Sequence, residues 1–125
     1  MPKRRIEPAD GLAALETWAR EGEAAPRAAL LTAVRFSLEE LGALHPGLSV
    51  EVRVPPAGAV QILPGTTHRR GTPPAVVETS MGVWLELAVG RSEWADALSD
   101  GRVKASGERT DLGPLLPYLR VRGSR

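Results

Sequence analysis

The residues whose types could do chemistry are few, and their spacing does not assemble them. The chain has two histidines, His45 and His68, and no cysteine. A zinc site needs three or four ligands, often at short fixed spacings such as H-E-x-x-H, and no such motif is present. Both histidines read as ordinary surface residues. Glu39 and Glu40 are adjacent in a helical stretch, where neighbouring side chains point about 100° apart. They read as a solvated face and not as a general acid and base. Ser80 stands in "ETSMG" and Ser106 in "KASGE", and neither matches the G-x-S-x-G of a nucleophile elbow. The glycines are isolated, so none builds a phosphate-cradling loop after a strand. No catalytic residue, cofactor or metal is expected, and the chain reads as a non-enzyme.

One polar cluster has binding character. In "THRRGTPP", His68, Arg69 and Arg70 could meet an anion, a lipid head group or a partner's acidic patch. Lys3, Arg4, Arg5, Arg120, Arg122 and Arg125 place further cations near the two ends, a pattern compatible with weak contact to an anionic membrane. The plainer readings are a solvated loop and solubilising tails.

Composition narrows the class. The 125 residues carry 16 basic and 15 acidic side chains, a net charge of +1 that does not mark a nucleic-acid binder. Without cysteine there is neither a disulfide framework nor thiolate chemistry. No apolar run approaches the roughly 20 residues that span a bilayer. The start, "MPKRRIEPAD", is charged but has no apolar signal core, so the cytoplasm is the expected location. The length suits one domain over 1–125, with 1–7 and 120–125 as flexible ends.

The elements that must position any site follow from periodicity. "EPADGLAALETWAREG" is a helix with Leu12, Leu15, Trp18 and Ala19 at helical spacing, closed by Gly22. "APRAALLTAVRFSLEELGALHPG" is a stronger helix, with Pro26 in its first turn, Pro46 and Gly47 after its end, and the stripe Leu30, Leu31, Val34, Leu38, Leu41 and Leu44. Phe36 lies on a flank with Ala29 and Ala33, so this helix should pack on a sheet below and on the first helix alongside. "LSVEVRV" alternates, with Leu48, Val50, Val52 and Val54 on one face. "AVQIL" forms a second strand that pairs antiparallel with it through "PPAG". A short strand is allowed at Thr66–His68, and Pro73 and Pro74 delimit the strand "AVVET". Ser80 can cap a helix bearing Met81, Trp84, Leu85, Leu87 and Ala88, which Gly90 ends. Ser92 can cap a short helix bearing Trp94, Ala95, Ala97 and Leu98, ended by Gly101. "RVKAS" is a strand, and Asp111 caps a last short helix bearing Leu112, Leu115, Leu116 and Leu119, shortened by Pro117.

Three glycines in "LELAVGRSEWADALSDGRVKASG" stand at fixed offsets, Gly90, Gly101 and Gly107, and arginine follows the first two. This stretch resembles the C-terminal half of the sterol carrier protein type-2 fold. The whole chain, including "RGTPPAVVET" and the two helices before the sheet, resembles that family's small actinobacterial subgroup, the bacterial orthologues. The resemblance implies an α+β fold, an antiparallel sheet of four or five strands covered by helices, with an apolar tunnel between the sheet and the C-terminal helices. It implies that Val60, Ile62, Trp84, Leu87, Ala88, Trp94, Leu98, Leu115, Leu116 and Leu119 line that tunnel. The implied function is cofactor-free binding of an apolar small molecule, a fatty-acyl or other lipid. The same fold type occurs as the C-terminal domain of mycothiol-dependent maleylpyruvate isomerases, so an accessory or protein-interaction role without lipid is the alternative. The two prolines near the final helix and the ending "GSR", which is no peroxisomal address, depart from the wider family. The same tryptophans and leucines could equally fill a solid core.

Overall fold

Alternation along Leu48–Val54 does produce a strand, but it begins two residues later than the pattern. The computed structural model describes residues 5–65, 75–107 and 110–122. The chain forms helices α1 (Pro8–Glu21) and α2 (Arg27–Leu44), strands β1 (Val50–Val54), β2 (Gly58–Ile62) and β3 (Ala75–Thr79), helices α3 (Met81–Val89) and α4 (Trp94–Ser99), and strand β4 (Val103–Ser106). Single 3-10 turns lie at Gly22–Ala24 and Gly113–Leu115. The class is α+β, as the resemblance implies.

The strand order is β2-β1-β3-β4. β1 and β2 pair antiparallel with Val52 opposite Val60, and β3 and β4 pair antiparallel with Val77 opposite Ala105. β1 and β3 run parallel, however, with Val52 beside Val77. The expected antiparallel sheet is therefore corrected to a mixed one. Ile62 at the end of β2 and Ala75 at the start of β3 both sit beside Val50. β2 and β3 therefore flank β1 on opposite sides. The short strand proposed at Thr66–His68 lies outside the described residues.

The sheet has one buried face and one wet face. Val50, Val52, Val54, Ile62, Val77 and Val103 are buried, while Arg53, Gln61, Glu78 and Lys104 alternate outward and are exposed. The core holds Leu15, Leu41, Trp84, Leu85, Leu87 and Leu112 without solvent contact. α2 sits at its centre, and the flank argument from Phe36 is correct: the ring packs on α1 at Gly11. Some stripe positions are not covered. Leu12, Leu44 and Leu48 stay 44%, 53% and 63% exposed, because each lies near an element's end or on its outer edge.

Capping follows the sequence at two points. Ser80 Oγ accepts the Val83 N–H at 3.4 Å, and Gly90 is left-handed at φ 88°. It departs at three. Asp111 accepts the Gly113 N–H at 3.0 Å, but the N-cap of the last turn is Leu112. Ser92 does not cap α4; Glu93 takes that place, and Ser92 Oγ donates to Glu86 at 3.0 Å instead. The expected last helix is a single 3-10 turn, since Pro114 lies inside it and Pro117 closely follows.

The glycine–arginine pairs now have a structural use. Arg91 places its guanidinium 5.2 Å from the Trp18 ring centroid, joining the end of α3 to α1. Arg102 donates from Nε to both Asp100 oxygens at 2.9 Å and reaches Ser92 with Nη1, which ties β4 to the α3–α4 corner. The hydrogen bond from Arg102 holds the Asp100 carboxyl below its ordinary value. The ends are held as well. Glu39 accepts the N–H groups of Arg5 and Ile6, Glu16 accepts that of Arg122, and Val121 is buried. These contacts join Arg5 and Ile6 to α2 and Arg122 to α1.

Candidate functional site

Most of the residues that the resemblance assigns to a tunnel wall lie in or against the hydrophobic core. Trp84, Leu87 and Ala88 on α3 and Ile62 on β2 are buried, and Trp94 on α4 is nearly so. Leu115, Leu116 and Leu119 are half-buried and pack against this core. Leu98 points away and is 42% exposed. His68, Arg69 and Arg70 lie outside the described residues.

Trp84 is fixed by polar contacts as well as by packing. Its Nε1–H donates to Ser37 Oγ at 3.1 Å, and Ser37 Oγ donates to the Val34 carbonyl at 2.6 Å. The Tyr118 hydroxyl donates to the Ser37 carbonyl at 2.6 Å, and its ring lies 6.4 Å from that of Trp84. The Ala88 carbonyl accepts the N–H groups of both Tyr118 and Leu119, which docks the C-terminal segment on the end of α3. No buried side-chain N or O atom among the described residues lacks a partner. The space between sheet and C-terminal segment is thus a satisfied interior.

Burial pushes the Tyr118 hydroxyl well above the ordinary tyrosine value of about 10. A folded-state value raised above the unfolded one contributes stability that is complete below the unfolded value and is lost as pH rises toward the folded one. Tyr118 is the only tyrosine, so the tyrosinate absorbance band reports it alone. On alkaline titration that band should grow only as the protein unfolds. A band with a midpoint near 10 in protein that retains its circular dichroism would contradict this burial. Tyr118→Phe should cost about 1 kcal/mol at neutral pH, the net worth of one hydrogen bond.

A cavity opens on another face of α2. It is a groove of about 950 Å³ between α2, the β1–β2 hairpin and the segment before α1. α2 contributes Thr32, Arg35, Leu38, Glu39, Gly42 and Ala43, which share one side of the helix by their spacing of three and four. The hairpin contributes Ala57, Gly58, Ala59 and Val60, and the N-terminal segment contributes Arg5 and Ile6. Among the residues expected at a ligand, Val60 alone lines this groove.

The groove exists because its facing residues are small. At Gly42 an added Cβ would lie 2.9 Å from Val60 Cγ2, so helix and strand approach closely there. Beyond that contact Ala43, Gly58 and Ala59 leave the space unfilled. Arg35 Nε donates to the Ala57 carbonyl at 2.9 Å and holds the hairpin at its distance from α2. Glu39, which reads from sequence as solvated, anchors the opposite wall through its two backbone N–H partners. The sequence signal for this site was the pairing of "LGA" in α2 with "AGA" in the hairpin.

Residues 26–118 match the protein family described as bacterial SCP ortholog. The chain belongs to that sterol carrier protein-like family. No curated protein matches it. The matched span starts at Pro26, so α1 and the Arg5–Ile6 segment lie outside it. One wall of the groove is therefore built by residues before the matched span. Among the described residues no three histidine, cysteine, aspartate or glutamate side chains stand together as a metal site, and no helix is long and apolar enough to cross a membrane.

Proposed function

We infer that the protein is a non-enzymatic binder of a small molecule with an apolar chain, a fatty-acyl compound or related lipid, and that the ligand lies in the groove between α2 and the β1–β2 hairpin. The observation that carries this reading is the groove itself. Its volume falls in the range of about 300–1,000 Å³ usual for small-molecule sites. Its lining is mostly apolar, from Ile6, Leu38, Ala57 and Val60, with polar groups confined to Arg5, Thr32, Arg35 and Glu39. Family membership supports the same class of ligand. The burial of Trp84, Leu87 and Ala88 favours the groove over the space beneath the C-terminal segment.

Affinity should rise along a homologous series of straight-chain ligands, by up to about 0.8 kcal/mol per buried methylene, and level off once the groove is full. Calorimetry across chain lengths measures this. Ala43→Trp fills the groove from an exposed helical position and should weaken binding at least about tenfold, since bulk now occupies the ligand's space. Leu116→Arg, outside the groove, should leave affinity unchanged in folded protein. The reverse pattern would place the ligand under the C-terminal segment, and no binding at any chain length would favour the accessory-module alternative.

A further inference from the structure

One wall of the groove differs in kind from the other two. α2 and the β1–β2 hairpin are regular elements that meet at Gly42 and Val60, whereas Arg5 and Ile6 belong to the irregular stretch ahead of α1. A carboxylate holds that stretch to α2. Glu39 accepts the Arg5 N–H at 3.2 Å and the Ile6 N–H at 3.2 Å, so the grip is on backbone donors and not on side chains. Arg5 is exposed and Ile6 half-buried, and neither belongs to the hydrophobic core, so water reaches this pin and competes for both partners. α1 behind it is fixed differently, since Gly11 packs directly on Phe36 of α2. The change from one regime to the other falls at Glu7 and Pro8, where α1 starts without a side-chain cap and proline presets the first helical turn. A short segment with a water-reachable pin and a packed helix behind it can open locally while the rest of the fold stays intact.

We propose that residues 5–7 form a strap along the groove, with Glu39 as its positioning residue. The pinned strap completes the wall beside a bound ligand, and its release opens the path by which ligand enters and leaves. This rests on the groove reading above and adds to it the control of exchange. The strap precedes the span that matches the family, so this control is carried by residues the family match does not include. A gate and a fixed wall differ in kinetics. Loss of a fixed wall removes contacts from the bound ligand and raises dissociation alone. Loss of a gate's pin raises the open fraction, and association and dissociation rise together while affinity changes by a smaller factor.

Stopped-flow fluorescence with cis-parinarate, a straight-chain polyene fatty acid that brightens on leaving water, measures both rates on the full chain. Glu39→Ala should raise association and dissociation together by about tenfold, the scale of one hydrogen bond to a charged group. Amide exchange at Arg5 and Ile6 should quicken by a similar factor. Glu39→Gln keeps one acceptor oxygen and should fall between wild type and Glu39→Ala. Ile6→Pro removes a donor from the strap and leaves Glu39 in place, so it should raise both rates as well. Dissociation raised alone would overturn the gate and leave a fixed wall. Unchanged rates in folded Glu39→Ala, or in Ile6→Pro should Glu39→Ala not fold, would overturn the strap and leave the groove standing. Absence of parinarate binding to the wild type would overturn the groove reading, and the strap's control of exchange with it.

Discussion

Trp84→Ala should remove about 3–5 kcal/mol of stability, the usual cost of emptying a buried tryptophan site. Trp84 has no solvent exposure, lies against Tyr118, and donates to Ser37. The substitution leaves a cavity and takes away the Ser37 Oγ acceptor contact at once. A single domain is commonly stable by about 5–15 kcal/mol, so the loss is a large share of the total. Urea unfolding measures it directly. Trp84→Phe separates the two contributions, since it keeps most of the bulk but not the indole N–H, and should cost about 1–2 kcal/mol. A loss below about 1 kcal/mol for Trp84→Ala would mean that the site can collapse or was never packed, and the expectation of a tunnel at this position would return.

Gly11→Ala should destabilise the protein, although alanine ordinarily favours a helix by about 1 kcal/mol over glycine. Gly11 lies in the first turn of α1, facing α2, and an added Cβ would meet the Phe36 ring and stand 2.7 Å from Phe36 Cβ. Phe36 Cβ keeps its place in every rotamer, so swinging the ring cannot relieve that contact and the helices must separate. Overpacking of this kind costs about 1–3 kcal/mol, enough to reverse the sign of the propensity gain. Separation would also strain the contact of Arg91 with Trp18 and that of Glu16 with Arg122. Thermal melting of Gly11→Ala, with Phe36→Ala and the double variant completing a cycle, gives the coupling between the two positions. An increase in melting temperature for Gly11→Ala alone would show that α1 does not approach α2 so closely.

What the sequence made legible divides along physical lines. Caps and faces are local, and they were readable: Ser80, Gly90 and the flank of Phe36 behave as their chemistry requires. Strand order is not local. Alternation says which way Val50 and Val77 face but not that β3 lies beside β1 and parallel to it. That depends on where the connection after Ile62 passes, which no periodicity encodes. The family was readable because glycine spacing reflects left-handed turns that only a few residue types accept, at Gly90, Gly101 and Gly107. The site was less legible for a different reason. Apolar bulk draws attention to Trp84, Leu87 and Leu116, yet large side chains fill space. Room for a ligand arises where facing residues are small, and Gly42, Ala43, Gly58 and Ala59 read in sequence as unremarkable helix and strand filler.

The most direct test of ligand binding in the groove is a methyl and amide NMR titration with a straight-chain fatty acid, read by position. Saturable shifts should concentrate at Ala43, Ala57, Ala59 and Val60, with Trp84, Leu87 and Leu116 little changed. Shifts centred on Trp84, Leu116 and Leu119, or no saturable shift anywhere, would contradict it.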